Sequence, residues 1–326
     1  LKFTIKCTFA NLFNTMQVHH GIFTYKNIKK PVVTVGTFDG VHFGHKKIIN
    51  RLKSIAKSID GESVLLTFDP HPRSVLFKDK QIQLINTLDE RIELLERLGL
   101  DHLVIYPFTK VFSKMSGKDY IKKHLIKELN VHTIVIGYDH HFGNDRTGNI
   151  DLLREMQQPE GYELEEISAH EIDEISISST KVRSAISNGK MQLVKDFLGY
   201  NYFLTGIIES GDGIGKTLGF PTANISISNN DKIIPHHGVY AVKAKIDNSH
   251  INGIMNIGVR PTINSNQNNL RLEVHLFNFN KSIYGQSIKV YLIEKIRDEI
   301  KFDDIESLKK QIGIDCEKAK KLLHKL

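Results

Sequence analysis

The chain has 326 residues, 40% of them hydrophobic and 25% charged, a composition that suits one large or two ordinary globular domains and argues against disorder. Its two cysteines, Cys7 and Cys316, lie near opposite ends without a C-x-x-C pair, so we expect neither a disulfide framework nor a zinc site. This cysteine usage fits a reducing cytoplasm. The net charge is +7, but the lysines and arginines are dispersed among acidic residues, which suits small anionic substrates better than nucleic acid. No apolar run approaches the ~20 residues that cross a bilayer.

Residues 1–15 differ from the rest of the chain. Their apolar stretch is interrupted by polar residues, and no small-residue cleavage site follows, so they do not match a secretion leader. Because the chain begins with Leu1 and offers Met16 as an internal start, we expect these residues to be an extension or a start assigned too early.

The turn at residues 36–45 organises the first half. It follows the apolar run 32–35, which predicts a buried parallel strand, and it precedes apolar residues at helical spacing. Within it, His42 and His45 stand three apart at the start of a helix, where ring donors, backbone N–H groups and the helix dipole can hold a phosphate. A solvated turn is the alternative, but the three glycines of the stretch leave a ligand room to approach and favour the anion site.

Strands and helices alternate through the rest of this half, which predicts a parallel sheet with helices on both faces and ligands beyond the carboxyl ends of the strands. Strands are predicted at 64–68, 103–106 and 133–136, and helices at 88–98 and 118–129.

Three further loops carry chemistry-bearing residues. In 69–73, two prolines make either an ordinary turn or a rigid wall for a substrate. The loop 137–143 contains the pair His140 and His141, but adjacent histidines rarely bind one ion, which disfavours a metal site. The pattern S-S-T-x-x-R at 178–183 by itself predicts only a helix N-cap.

The second half changes character. Strands at about 202–208, 238–246, 251–257, 270–279 and 287–294, separated by Gly/Asn/Ser-rich turns, predict a small antiparallel barrel, and 305–323 predicts a helix packed on it. In 270–279, the alternation places leucines and Val274 on one face and Glu273 on the polar face.

The glycine-rich segment 211–217 is not a P-loop, because Walker A needs four residues between its glycines and a following helix. It remains an arm whose backbone N–H groups can hold phosphates. The next motif, 220–224, supplies the hydroxyl of Thr222 and the amide oxygen of Asn224, which are adequate but weak magnesium ligands; a plain turn is the alternative.

These motifs together resemble one family. G-T-F-D-G-V-H-F-G-H at 36–45, F-D-P-H-P at 68–72 and I-S-S-T-K-V-R at 177–183 resemble the FMN adenylyltransferase module of bacterial bifunctional riboflavin kinase/FAD synthetases. F-P-T-A-N at 220–224, N-I-G-V-R-P-T at 256–262 and L-E-V-H-L-F at 272–277 resemble riboflavin kinase segments in the same order.

The resemblance implies a Rossmann-like nucleotidyltransferase domain at 16–186 and a riboflavin kinase β-barrel with a C-terminal helix at 187–326. The barrel would phosphorylate riboflavin with ATP to FMN, and the first domain would adenylylate FMN with ATP to FAD and pyrophosphate, both with Mg²⁺. The partners would be these small molecules, without nucleic acid or membrane, and the chain a monomer or weak homo-oligomer.

The resemblance also implies roles for single residues. His42, His45 and Arg183 would stabilise the transferred phosphate, and Glu273 would be the kinase base. His140 stands where the family more often has an aromatic residue. The resemblance assigns magnesium binding to Thr222 and Asn224, and substrate or nucleotide binding to Gly36, Phe38, Asp39, Gly44, Asp69, His71, Pro72, Gly137, Asp139, Phe142, Ser179, Thr180, Gly211, Gly215, Lys216, Gly219, Pro221 and Arg297.

The two reactions need different groups. The phosphate of FMN is already anionic, so its attack on ATP needs positioning and charge stabilisation but no base. A ribityl hydroxyl is a poor nucleophile and benefits from a base, although a glutamate on the polar face of a strand is ordinarily solvated.

Two other functions remain open from the sequence. One is a nucleotidyltransferase for a different acceptor, such as nicotinate mononucleotide or phosphopantetheine, fused to an inactive barrel. The other is a flavin- or RNA-binding regulator without turnover, whose RNA affinity would fall steeply with salt.

Overall fold

The computed structural model describes residues 15–21, 27–77, 82–137, 140–144, 147–168, 177–210, 214–260 and 269–324. By their contacts, the residues group into two compact units. The first unit is Leu1–Gln81 with Leu88–Ser176, and the second unit is Ile82–Thr87 with Ile177–Leu326.

The first unit is an α/β unit in which strands and helices alternate. Its elements are β1 (Gln17–His20), β2 (Pro31–Val35), α1 (Phe43–Ser58), β3 (Glu62–Asp69), α2 (Pro72–Leu76), α3 (Leu88–Arg97), β4 (His102–Pro107), α4 (Gly117–Tyr120) with a following π-helical stretch (Ile121–Glu128), β5 (Thr133–Gly137), α5 (Ile150–Glu160) and β6 (Glu163–Ile167).

The six strands form one sheet in the order β1-β4-β3-β2-β5-β6, with every pair parallel. Its central strands are near-continuous apolar runs, as expected of strands covered on both faces, and Val33, Val64 and Leu65 have 0% exposure. The predicted parallel sheet is therefore confirmed.

The strand order reverses beside β2, because β3 and β4 extend the sheet on one side and β5 and β6 on the other. Ligands of open α/β sheets bind beyond the carboxyl ends of the strands at such a reversal. The turn at 36–45 follows β2, and the loop that begins at Gly137 follows β5. The fold therefore brings these two predicted loops to the same edge of the sheet.

The second unit is built mainly of β-strands. Its elements are α6 (Ser179–Ser187), α7 (Met191–Leu198), β7 (Phe203–Glu209), α8 (Ile214–Thr217), β8 (Ala223–Ser226), β9 (Gly238–Ile246), β10 (Ser249–Arg260), β11 (Asn269–Leu276), β12 (Ser287–Arg297) and α9 (Ile305–Leu323).

The strands close into an antiparallel barrel in the order β10-β11-β8-β7-β12-β9. Alternate residues of β11, such as Leu272 and Val274, belong to the large core cluster of this unit. A separate cluster joins Val239 of β9 to Cys316 and Ala319 of α9, so the C-terminal helix packs on the outer face of the barrel. The predicted barrel and its closing helix are confirmed.

One short segment of the first half of the chain belongs to the second unit. This inserted segment, Ile82–Thr87, forms an isolated parallel β-bridge in which Leu84 pairs with Lys232. The Leu84 N–H donates to the Asp231 carbonyl at 2.6 Å, and the Ile233 N–H donates to the Leu84 carbonyl at 2.8 Å. Ile85 has 0% exposure within the barrel-unit core. The sequence patterns did not predict that this segment belongs to the second unit.

The contacts also group residues 177–186 with the second unit, since Val182 and Ile186 of α6 join its core. The boundary predicted between 186 and 187 stays a prediction about the catalytic modules. No helix of the described residues has the length and apolar character needed to cross a membrane.

Ile85→Ala tests whether the inserted segment stabilises the second unit. Because the side chain is fully buried, we expect the free energy of unfolding of this unit to fall by about 2–4 kcal/mol. Hydrogen exchange of the barrel-core amides measures the free energy of unfolding of this unit separately from that of the first unit. Leu76→Ala, at a side chain that is 50% exposed, is the control and should change little. Equal exchange in both variants would contradict the expectation.

Candidate active sites

A cavity of about 430 Å³ lies at the carboxyl edge of the first unit's sheet. Its wall is mainly apolar and aromatic, with few polar side chains, which suits a flat aromatic ligand held by a small number of directed contacts. The rings that line it are Phe38, Phe68, Phe108, Phe112, Tyr120 and Phe142, and the histidines are His45, His140 and His141.

The two histidines of the turn at 36–45 have different positions. His42 is 5% exposed and caps α1, with its Nδ1 accepting the His45 N–H at 3.4 Å. The two rings stack at 3.7 Å between centroids, and the Phe38 ring stacks on His45 at 4.5 Å. Only His45 of the pair lines the cavity, so it is the one that can face a ligand there.

The backbone of this turn is held in an uncommon conformation. Phe38 and Val41 have φ of +48° and +39°, and Gly40 between them has +92°. Left-handed conformations are unfavourable for bulky and β-branched residues and persist only where the surroundings enforce them, often at functional sites. A side chain at Gly36 would place its Cβ 2.9 Å from the Phe38 ring, so this glycine lets the ring stack close in.

His45 is held in its neutral form. Burial lowers its pKa well below the ordinary value, and the neighbouring His42 and the positive Arg91 lower it further. The residue is partly exposed where it lines the cavity, but its Nδ1 is buried and has no hydrogen-bond partner within the described part of the chain. An anion in the cavity would favour the charged imidazolium and raise this pKa.

Arg91 of α3 belongs to this site, although the sequence motifs did not identify it. Its guanidinium is 5% exposed and donates to the Thr37 and Phe68 carbonyls at 2.6 and 3.4 Å. Asp39, which is 1% exposed, and Asp69 are its acidic neighbours. A signal was present, because Arg91 shares the buried face of its helix with Leu94 and Leu95.

The other predicted residues of this edge lie at or near the cavity. Pro72 and Phe142 line it, while His71 caps α2 by accepting the Arg73 N–H at 3.1 Å. Gly44 lies in the first turn of α1, Asp69 ends β3 and Gly137 ends β5. Asp139 lies outside the described residues. Among the residues that are described, no group of three His, Cys, Asp or Glu side chains can hold a metal ion.

Ser179, Thr180 and Arg183 lie on α6, which groups with the second unit. The helix is capped by Ser178, and the Arg183 Nε donates to the Gln83 carbonyl of the inserted segment at 2.7 Å. The part that these residues would take in nucleotide binding stays a prediction.

In the barrel, the strand register brings predicted site residues together. Glu273 of β11 pairs directly with Asn224 of β8 on one side and with Asn256 of β10 on the other. Residues paired in this way project to the same face. Leu272 and Val274 belong to the core, so this face is the outer one. Arg271, on the same face, lies 3.5 Å from the Glu273 carboxylate.

The 220–224 motif packs beside this face. The His275 Nδ1 lies 2.8 Å from the Pro221 carbonyl, and the Phe220 ring meets the His275 ring edge to face. At Gly215, an added Cβ would lie 2.5 Å from the Phe220 carbonyl and 2.9 Å from Thr222 Oγ1, so glycine permits this close approach. Gly219 has φ of +83° in the connecting turn. Gly211 and the side chain of Lys216 lie outside the part of the chain that the structure describes.

Arg297, a predicted ligand-binding residue, is paired within the protein. Its Nε and Nη2 lie 2.9 and 2.8 Å from the same Asp315 carboxylate oxygen on α9, and its Nη1 donates to the Asp298 carbonyl. Asp315 is 1% exposed and also accepts from Gln311. This pair joins the end of β12 to the C-terminal helix, and a ligand role for Arg297 stays a prediction.

Asn256 and Glu299 were not predicted as site residues. At Gly258, an added Cβ would lie 2.3 Å from Glu299 Oε1 and 3.3 Å from Asn256 Nδ2. A second carboxylate therefore lies near the face that carries Glu273. The pairing of Asn256 with Glu273 depends on strand register, which no local motif reports.

Known proteins resemble this chain along both halves. One family model, described as FAD synthetase, matches residues 24–181, and another, described as riboflavin kinase, matches 198–323. The bifunctional riboflavin kinase/FMN adenylyltransferase of Buchnera aphidicola subsp. Schizaphis graminum is 38% identical over 309 residues, covering 94% of this chain and 98% of the relative. The Bacillus subtilis protein of the same name is 38% identical over 293 residues, covering 89% and 92%.

A solved structure is similar over both halves as well. The crystal structure titled macrolide-efflux protein from Streptococcus pneumoniae aligns with a TM-score of 0.83 and 28% identity, covering 92% of this chain and 97% of that chain. Because both family models match in order and the relatives cover almost the whole chain, the similarity is not confined to one module. The chain belongs to the bifunctional riboflavin kinase/FMN adenylyltransferases, with the FAD synthetase domain first and the riboflavin kinase domain second.

Proposed function

We propose that the cavity at the carboxyl edge of the parallel sheet is the FMN adenylylation site and that the outer face of the barrel around Glu273 is the riboflavin phosphorylation site. The cavity that His45 lines supports the adenylylation site, and the observation that carries the kinase site is the cross-strand register of Asn224, Glu273 and Asn256. It gathers a carboxylate and two amides on one face beside the 220–224 motif. The module boundaries that go with these sites are 16–186 and 187–326.

In adenylylation, a phosphate oxygen of FMN forms a bond to the α-phosphorus of ATP, and the bond from that phosphorus to the bridging oxygen breaks to release pyrophosphate. No proton has to be removed from the nucleophile. The protein has to align the two phosphates and stabilise the charge that develops. We assign this to His45, with His42 holding the turn. A phosphate-binding role for Arg183 is supported by its sequence motif, I-S-S-T-K-V-R, since a guanidinium can bind phosphate oxygens bidentately.

In phosphorylation, the ribityl hydroxyl attacks the γ-phosphorus of ATP, and the bond to the bridging oxygen breaks to release ADP. The hydroxyl proton passes to Glu273 as the new bond forms. Asn224 and Asn256 flank that carboxylate and are suited to orient it or the substrate. Arg271 lies 3.5 Å from that carboxylate and adds a positive charge to the same face.

We propose Thr222 and Asn224 as the residues that would hold Mg²⁺. Both offer the neutral oxygen donors that magnesium accepts alongside water and phosphate, and Asn224 pairs with Glu273 on the proposed kinase face. When bound, the ion would neutralise charge on the phosphates of ATP.

We also propose a cytoplasmic monomer or weak homo-oligomer whose partners are ATP, riboflavin and FMN, without nucleic acid. The buried free thiol of Cys316 supports a reducing compartment. The dispersed basic residues support small anionic substrates.

Glu273→Gln tests the kinase base. We expect FMN formation from riboflavin and Mg·ATP to fall by about 10²–10⁴-fold, because the amide cannot take the hydroxyl proton, while FAD formation from supplied FMN persists. Chromatography of the flavins measures both reactions. Glu294→Gln, at an exposed position on β12, is the matched control. Loss of both activities together would contradict independent sites.

His45→Ala tests the adenylylation site. FAD formation from FMN should fall by roughly 10²–10³-fold through loss of a charge-stabilising donor, while FMN formation from riboflavin persists. Released pyrophosphate and the flavin products give the two rates. His20→Ala, at an exposed position on β1, serves as control. Unchanged FAD synthesis would remove His45 from the site.

The lowered pKa of His45 predicts how its ring titrates. In the unfolded chain a histidine binds its proton near pH ~6.5, whereas folded His45 stays neutral at that pH. As pH falls from ~6.5 towards the lowered folded pKa, the unfolded state gains the proton first, and stability falls by at most about 1.4 kcal/mol per pH unit. NMR titration of the free protein should show no His45 midpoint near pH ~6.5. A midpoint there would refute the neutral-imidazole assignment.

A further inference from the structure

Arg91 is a buried cation to which the reaction steps above assign no part. It lies on α3, and its two terminal nitrogens donate to the Thr37 carbonyl at 2.6 Å and the Phe68 carbonyl at 3.4 Å. Thr37 comes just after β2, and Phe68 lies near the end of β3. One guanidinium therefore joins the ends of two neighbouring strands at the edge where the cavity opens.

The surroundings favour a fixed position for this charge. Burial lowers the pKa of Arg91, while the carboxylates of Asp39 and Asp69 act in the opposite direction. Arginine stays protonated in proteins, and a buried charge is unfavourable unless it is paired and hydrogen-bonded. The planar fork of the guanidinium can hold two carbonyls in a fixed geometry, which a lysine ammonium cannot do.

The bond to Thr37 orients the peptide between Thr37 and Phe38. In a trans peptide the C=O and N–H point in opposite directions, so the Phe38 N–H points away from Arg91. Phe38 is only 3% exposed, yet within the described residues its main-chain N–H donates to no acceptor. A buried N–H without an acceptor is rare. This one belongs to a residue that lines the cavity beside His45.

We propose that Arg91 is a positioning residue for FMN adenylylation, holding the Thr37–Phe38 peptide so that the Phe38 N–H donates to a phosphate oxygen in the cavity. The inference rests on the proposed adenylylation site. Arg91 does not touch the substrate itself. The left-handed φ of Phe38, +48°, is the conformation that this hydrogen bond helps to maintain.

The test replaces Arg91 in the full-length protein and follows both reactions. Arg91→Met removes both carbonyl contacts, and we expect kcat/KM for FAD formation from FMN to fall by about a hundredfold, because misplacement of a binding group costs alignment. FMN formation from riboflavin should stay within about twofold of the unchanged protein. A rise in KM for ATP or for FMN identifies whose phosphate the N–H binds.

A spectroscopic readout separates this role from simple packing. The positive charge of Arg91 helps to keep His45 neutral, so Arg91→Met should move the NMR midpoint of His45 upward. Arg91→Lys keeps the charge but not the fork, so FAD formation should fall by roughly tenfold while the His45 midpoint stays low. Arg97→Met is the matched control: it lies on the same helix, is exposed and pairs with Glu93, and should change neither readout.

Unchanged kcat/KM for FAD formation in a folded Arg91→Met protein would overturn the inference. If that variant does not fold, Arg91→Lys is the test instead. FAD formation by Arg91→Lys at the rate of Arg97→Met would then overturn the inference. Loss of FAD formation in His45→Ala alongside full activity of the Arg91 variants would leave the proposed site intact and remove only Arg91. Full activity of His45→Ala would instead refute the proposed site, and this inference with it.

Discussion

The reversal of strand order between β2 and β5 is the constraint on which the first unit's chemistry depends. In a parallel sheet every strand ends at the same edge, so the segments after β2, β3, β4 and β5 meet there whatever their sequences. Their aromatic side chains enclose the cavity, and the turn at 36–45 holds a stack of three rings, of which Phe38 and His45 line it. Buried Arg91 then ties the first two of these strand ends together.

The barrel solves a different problem, which is to place polar groups where a substrate can reach them. A closed barrel of this size fills its interior with apolar side chains, so period-two alternation sends Glu273 outward. Antiparallel register then sets Asn224 and Asn256 beside it from two other strands. The C-terminal helix covers part of the same outer surface, where the pair of Arg297 and Asp315 fixes it to β12.

The inserted segment shows that compact units and sequence order need not coincide. Ile82–Thr87 leaves the first unit to complete the core of the second, and the chain returns at Leu88 to begin the helix that carries Arg91. Lys232, only 4% exposed, donates to the Ile85 carbonyl at 2.7 Å and lies over the Tyr202 ring. The buried ammonium group is stabilised by this hydrogen bond to the carbonyl and by the cation–π contact with the ring.

The amino-acid sequence by itself determined most of the element types and the order of the two folds, but its patterns did not predict α5 or β8. These features follow from short-range physics: period-two and 3.6-residue patterns decide strand or helix, and glycine or proline decides turns. The edge strands β1 and β6 were missed because a short or polar edge strand has no such pattern.

Only the tertiary structure decided which of the motif residues meet. That Glu273 lies between two asparagines, that Arg297 is paired with Asp315, and that Arg91 reaches the turn after β2 are contacts between residues far apart in the chain. Sheet register, helix rotation and the path of the inserted segment set them. Because these depend on the packing of the whole core, no local pattern encodes them.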